Sequence, residues 1–502
     1  MNHTGLPYRF LPFRFDRKGT KVLLINDVGE YHFLDEQTFD LLVSRNLNIN
    51  SQDFIDLVSK GMVYSDNLVN EIDLLATKYR TKKQFLYHFT SLHMFVLTKR
   101  CNHQCIYCHA SSVDENAGSH LDMDFETARK CVEIAFTSPS PCIKIEFQGG
   151  EPLLNFNIVK EIVEYAEELN ESANKGLEFV ICTNLLALNE ENLHYIESKN
   201  IYISTSLDGP HDIHDACRRL RRGGSSYDIV TSHLSWAINT LGRDRVSALM
   251  TVTPYNVGRL CEVVDEYLKQ GLDSIFLRKM NPFGSALKNL AALDYSVDTF
   301  LTGYKEALDY IIQINLGGTH FPELFATLLL TRILTPFSTG FVDLQSPAGV
   351  GISGVIYETN GDVFVSDEAR MLSRTTGDKK FCLGNVHTHS WNEMFGGSRL
   401  REIIAASCVE SLPGCAWCVF QPYCGGDPVR NYATQGDMIG NRPNNDFCRK
   451  HRGLFNLMFD YLDRGDDNVE DVFWSWITCR SLDEVHNHSP IEVPQCYHSE
   501  VV

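Results

Sequence analysis

The chain has 502 residues, 45 of them basic and 64 acidic, for a net charge of −19. That length suits roughly three domains. The acidic balance argues against a broad phosphate-binding face, so nucleic acid is a poor partner. No apolar run is long enough to span a bilayer. Met1 to Thr20 lacks the apolar core of a secretory signal. In such a chain the 16 cysteines read as reduced ligands or core residues, and a cytoplasmic location is expected.

Residues 1–88 read as a small α/β module. Lys21–Ile25 is an apolar run of strand length, residues 26–30 are a turn signal, and Tyr31–Leu34 is the returning strand. Residues 36–45 and 51–61 then show helical periodicity. Residues 89–318 alternate strands with amphipathic helices. The strands fall at 93–98, 143–147, 179–183, 201–206, 247–253 and 274–278. The helices fall at 124–136, 158–170, 189–198, 228–240 and 259–269, with a last one at 304–314. Six strand–helix units predict a parallel sheet with right-handed crossovers, a partial (β/α)6 TIM-like barrel. Residues 319–460 are rich in Gly, Cys, Asn and Pro, which predicts a loop-rich, metal-stapled extension. Residues 461–502 form a tail with Trp474, Trp476 and three histidines, which the sequence does not explain.

The densest motif is Cys101-Asn102-His103-Gln104-Cys105-Ile106-Tyr107-Cys108, just after the first barrel strand. In parallel α/β barrels that strand end is where sites assemble. Three thiolates at this spacing hold three irons of a [4Fe–4S] cluster and leave the fourth open to a small molecule; a zinc knuckle is the competing reading. Gly149-Gly150-Glu151-Pro152 follows the second strand. The two motifs together resemble the radical S-adenosylmethionine superfamily. The resemblance implies that S-adenosylmethionine binds the open iron and yields a 5′-deoxyadenosyl radical. It places Tyr107 near the adenine. Gly149 and Gly150 let the chain pass close to the ligand, and the Glu151 carboxylate meets the ammonium. Asn184 (after Thr183), Ser206 and Asp208 match positions near the ribose and methionyl group, or are satisfied strand-end polar residues. Arg218 pairs with a carboxylate of cofactor or substrate, or belongs to a solvated basic loop with Arg219, Arg221 and Arg222.

A second cysteine set, Cys415, Cys418, Cys424 and Cys448, has zinc-like and iron–sulfur readings. It resembles the SPASM extension, in which four thiolates hold a fully ligated auxiliary [4Fe–4S] cluster. A further cluster of that family is not expected, because Gly340, Ser346, Ser366 and Pro428 stand where its cysteines would be. Cys382 and Cys408 are left over, as a degenerate site or as core residues. Asp367 matches a general base of anaerobic sulfatase maturases, or is a surface aspartate.

The hairpin and helices of residues 1–88 resemble a PqqD-like winged-helix module for leader recognition; a packing module is the plain alternative. Residues 11–15, 22–31 and 418–428 resemble the His-Xaa-Ser system radical SAM maturases. That resemblance implies a small ribosomally made precursor peptide with His-Xaa-Ser repeats as partner, C–H abstraction and a cross-link as outcome, and flavodoxin or ferredoxin as electron donor. The rival expectations are a sulfatase maturase, which makes formylglycine, and a non-catalytic iron–sulfur peptide-binding protein.

Overall fold

The computed structural model of the chain describes residues 7–65 and 68–487. The N-terminal part is a three-stranded antiparallel sheet of β1 (Phe13–Lys18), β2 (Lys21–Asn26) and β3 (Tyr31–Asp35), followed by helices α1 (Glu36–Val43), α2 (Gln52–Ser59) and α3 (Leu68–Lys82). The expected hairpin is β2–β3. β1 and α3 are additions to the sequence reading. β2 is buried almost throughout because it lies between two partners and covers the module's core with Phe39, Phe54 and Leu57.

The barrel strands are β4 (Leu92–Thr98), β5 (Cys142–Gly149), β6 (Gly176–Cys182), β7 (Tyr202–Ser206), β8 (Val246–Val252) and β9 (Leu277–Lys279). They lie side by side in chain order and parallel. Helices α4 (Phe125–Phe136), α5 (Phe156–Ala173), α6 (Glu190–Ser198), α7 (Tyr227–Leu241), α8 (Leu260–Lys269) and α9 (Val297–Leu316) follow the successive strands. Their starts and stops follow local chemistry. Asp124 caps α4 by accepting from Thr127 N, Asn189 caps α6, and Asn174 ends α5 in the left-handed region. α5 turns Ile158, Val159, Ile162, Val163 and Ala166 into the core, a 3.6-residue stripe. β9 is shorter and later than expected. The backbone of Ile275 bonds to Pro322 and Leu324, and the Glu323 carboxylate accepts from Leu277 N at 2.9 Å.

The region 319–460 is not loop-rich throughout. It contains α10 (Leu324–Leu334), β10 (Gly354–Tyr357), β11 (Asp362–Phe364), α11 (Asp367–Thr376), β12 (Cys382–Asn385) and the 19-residue α12 (Asp446–Arg464). In α12 the buried Phe447, His451, Leu454, Phe455, Met458 and Leu462 recur at helical spacing. The Gly- and Cys-rich stretch before it masked that period. β10 pairs parallel with β4, and β11 and β12 add antiparallel, so one nine-stranded sheet joins barrel and extension. His93 fastens the joint: Nδ1 meets Tyr357 Oη at 2.9 Å and Nε2 meets Thr90 O at 3.1 Å. In the tail, α13 (Asp467–Thr478) buries Trp476, whose Nε1 donates to Asn315 Oδ1 at 3.0 Å. Trp474 is partly exposed. Of the tail histidines, His486 meets Asp471 and the other two lie outside the described residues, as does Cys496. No helix among the described residues is long and apolar enough to cross a membrane.

Candidate functional site

The loop after β4 is held in place from several directions. Residues 103–105 pair antiparallel with Arg218–Leu220, which sets Arg218 opposite Cys105. Arg221 Nε donates to Cys101 O at 3.0 Å and Nη2 to Ser112 O at 3.1 Å. Arg374, on α11, reaches the carbonyls of Ala110 and Ser111. Cys101 Sγ accepts His103 N at 3.4 Å and Asn184 Nδ2 at 3.6 Å. Burial raises the pKa of the Cys101 and Cys105 thiols, the latter to about 12, and the charges of Cys105 and Cys108 add to the rise at Cys101. The three sulfurs therefore lie within electrostatic reach of one another. Among the described residues no three His, Cys, Asp or Glu side chains close on a single ion. A four-iron cluster is bulkier and spreads its thiolates wider. Backbone and amide N–H groups already directed at Cys101 suit a thiolate there. The set fits the cluster.

Gly149 and Gly150 admit a close approach of backbone. A Cβ on Gly149 would strike Thr98 O, and one on Gly150 would strike Arg100 O. Their missing side chains admit the protein's own backbone, so that Gly150 N bonds Thr98 O and Glu151 N bonds Arg100 O, both at 2.8 Å. Gly149, at φ +144, also needs the freedom that glycine supplies. The Glu151 carboxylate lies beside the end of β6. It is wholly buried and accepts Leu153 N at 3.0 Å, Thr183 Oγ1 at 2.6 Å and Asn184 N at 2.8 Å. Burial pushes its pKa up to about 7.

Asp208 and Arg218 are brought together rather than presented to solvent. Asp208 is fully buried and accepts Arg218 Nε at 3.1 Å, Arg218 Nη2 at 3.3 Å, Thr251 N at 3.2 Å and the Tyr107 hydroxyl. The Arg218 guanidinium lies 5.3 Å from the Tyr107 ring centre. The solvated-loop reading of Arg218 is therefore corrected. Tyr107 is a buried member of this triad, and Asp208 spends its acceptors internally. Ser206 stands half-buried at the end of β7.

At the barrel mouth α11 begins at Ser366, whose hydroxyl accepts Ala369 N. Asp367 Oδ1 accepts Arg370 Nε at 2.9 Å, and Arg370 also meets Glu358. Asp367 is half-buried and held in this ion network. Sequence reasoning missed its neighbour. Glu368 meets Arg278, on β9, at 3.8 Å, and burial pushes its carboxyl up to about 7. No local spacing marks Glu368; only the fold sets it against β9.

Cys415, Cys418, Cys424 and Cys448 converge as a second group. Each of the first three feels the charge of Cys448, and burial raises all three thiols, Cys424 to about 12. Arg442 lies beside Cys415 and Cys424, is 2% exposed, and keeps Nε and Nη1 buried without a partner. Orphaned cationic donors among four cysteines fit an anionic thiolate centre. Where further ligands would be needed, Pro428 opens the helix Pro428–Gln435, Ser366 caps α11, and the Ser346 hydroxyl meets Glu410. Cys382 is buried on β12, and Cys408 Sγ contacts Ile404 O at 3.3 Å.

Residues 95–267 match the profile of the Radical SAM superfamily. An uncharacterized protein of Methanocaldococcus jannaschii is 31% identical over 194 residues, 37% of this chain and 61% of that protein. The chain thus aligns with less than two thirds of that relative. The cysteine-type anaerobic sulfatase-maturating enzyme of Clostridium novyi is 24% identical over 376 residues, 71% of this chain and 92% of that enzyme. Among solved structures, native anSMEcpe with bound AdoMet superposes with a TM-score of 0.61 at 18% identity, covering 75% of this chain and 100% of that one. Streptococcus suis SuiB bound to precursor peptide SuiA gives 0.51 at 15% identity, covering 88% and 100%. These two likenesses are of fold. The family match is thus to the Radical SAM superfamily and is confined to residues 95–267, from β4 to α8.

Proposed function

We propose that the protein is a radical S-adenosylmethionine enzyme that modifies a ribosomally synthesised peptide, with Cys101, Cys105 and Cys108 holding its [4Fe–4S] cluster. The observation that carries this reading is the three-thiol loop, locked at the C-terminal end of β4 with donors directed at Cys101. Bound there, the cluster and S-adenosylmethionine supply a 5′-deoxyadenosyl radical that takes hydrogen from a C–H bond. Tyr107, Asn184 and Ser206 line the cofactor side, Gly149–Glu151 shape its wall, and Asp208 and Arg218 hold Tyr107 rigid. Residues 1–88 act as the PqqD-like leader-docking module, 89–318 as the core, 319–460 as the SPASM extension with one auxiliary cluster, and 461–502 as a tail. Tethering by a leader raises the concentration of the modified residues at the barrel mouth. The likeness to SuiB, which binds its precursor peptide SuiA, and to a sulfatase-maturating enzyme supports a peptide partner. A His-Xaa-Ser precursor and a cross-link are the product class we favour.

A proton must leave the peptide when it is oxidised. We assign its acceptance to Glu368 in preference to Asp367. Asp367 Oδ1 is taken up by Arg370 Nε at 2.9 Å, whereas Glu368 meets Arg278 only at 3.8 Å and has its carboxyl raised by burial to about 7, a value matched to proton transfer. The match across 92% of a sulfatase-maturating enzyme supports the second reading, oxidation of Cys or Ser to formylglycine.

The test is anaerobic reconstitution with S-adenosylmethionine and dithionite. Release of 5′-deoxyadenosine, lost in Cys101→Ala, supports the enzyme. Its absence from the iron-loaded wild type refutes it and leaves a binding protein. Fragmentation of a modified peptide then separates a cross-link from formylglycine.

A further inference from the structure

Two arginines from distant parts of the chain close on one cysteine of the second set. Arg332, on α10, donates Nη2 to Pro422 O at 3.1 Å and Nε to Tyr423 O at 3.3 Å. Arg442 donates Nη2 to Gly425 O at 2.7 Å. The two guanidinium groups thus bracket Cys424, gripping the carbonyls on both sides of it. Arg332 is 6% exposed and Arg442 2%. Among the described residues neither pairs with a carboxylate; their partners are neutral carbonyls, and two nitrogens of Arg442 have none. Glu410 acts on Arg332 and Asp427 on Arg442 through space without a hydrogen bond, and the Arg442 guanidinium lies 5.4 Å from the Phe447 ring centre; buried positive charge so loosely compensated destabilises a fold. The arrangement makes sense once an anion occupies the space they face. Four cysteine thiolates around an iron–sulfur core carry net negative charge, and Arg332 and Arg442 each act electrostatically on Cys424.

We propose that Arg332 and Arg442 are the built-in counter-charges of the auxiliary cluster at Cys415, Cys418, Cys424 and Cys448, and that they raise its reduction potential. The proposal rests on the auxiliary-cluster reading above. Adding an electron makes the centre more negative, and nearby fixed cations favour that reduced state. Their burial keeps the effect from being screened by salt. The two are positioning and tuning residues: they touch the cysteine loop, not the substrate.

The experiment uses the full chain with Cys101, Cys105 and Cys108 replaced by alanine, so that only the second set holds iron. Iron, zinc and sulfide are counted, and the potential is read by an EPR-monitored redox titration. Arg332→Met and Arg442→Met are each expected to shift the reduction equilibrium at least tenfold toward the oxidised form, about 59 mV for one electron. Arg449→Met is the control. It lies next to Cys448 but is exposed and paired with Asp446, and is expected to shift the equilibrium less than twofold. Should a methionine variant lose its iron, restoration by Arg332→Lys or Arg442→Lys supports the charge role, and failure of both lysines to restore iron overturns it. An unchanged potential with full iron content in both methionine variants also overturns it, as does an equal shift in Arg449→Met. Zinc, or no metal, in the unsubstituted second set is a separate result: it removes the auxiliary cluster itself, and the proposal with it.

Discussion

Replacing Arg218 with methionine tests the claim that the Asp208–Arg218–Tyr107 triad organises the cysteine loop. Asp208 has no exposure and loses two of its four donors, the Arg218 nitrogens at 3.1 and 3.3 Å. It keeps Thr251 N and the Tyr107 hydroxyl. Breaking a buried pair on one side costs about 3–5 kcal/mol, and the two surviving donors place this case at the low end, about 3 kcal/mol. The strand pair 103–105 with 218–220 sits directly on the triad, so the loss appears as local opening. At 1.4 kcal/mol per factor of ten, amide exchange of Cys105 and Arg218 is expected to quicken roughly a hundredfold. Hydrogen–deuterium exchange of the thiol-reduced, metal-free chain, read by mass spectrometry at the peptides covering 101–108 and 217–222, measures it. Asp208→Asn combined with Arg218→Met removes the stranded charge and is expected to recover much of the protection. A change below threefold in the single variant, or a double variant worse than the single, would refute the argument.

Other expectations follow from the same geometry. Gly150→Ala drives its Cβ into the Arg100 carbonyl; because backbone cannot yield as a side chain can, the variant is expected to lose iron at the first cysteine set, measured per chain after reconstitution. Ile162→Ala empties a fully buried site on α5 and is expected to lower the thermal midpoint through a loss of about 2–5 kcal/mol. Glu151 has its carboxyl raised to about 7 in the folded chain. It is therefore protonated more readily folded than unfolded. Its contribution is present in full below the unfolded value near 4.5 and is lost as pH rises through 7; a stability–pH curve in which Glu151→Gln shows an undiminished decline over that window would contradict this. For Glu368, product formation is expected to rise about tenfold per pH unit below 7 and level off above it, with the slope abolished in Glu368→Gln while 5′-deoxyadenosine release persists.

The local elements were legible because their signals are local. The alternation of strands and helices in residues 89–318 comes from side chains spaced by two and by three or four residues, and it gave the six parallel strands in order. The cysteine triplet was visible for the same reason: its three thiols lie on one short loop whatever surrounds them. The long period of α12 was also present in the sequence, but lay behind a Gly- and Cys-rich stretch that suggested loops. What tertiary structure alone decided are the pairings of groups far apart in the chain. Arg332 meets Tyr423 across 91 positions and His93 meets Tyr357 across 264. Glu368, at the start of α11, comes to face Arg278, on β9. No spacing rule reaches across such distances. Whether a carboxylate is buried, paired or left to move a proton depends on which strands the sheet has set beside it, and that is a property of the folded chain.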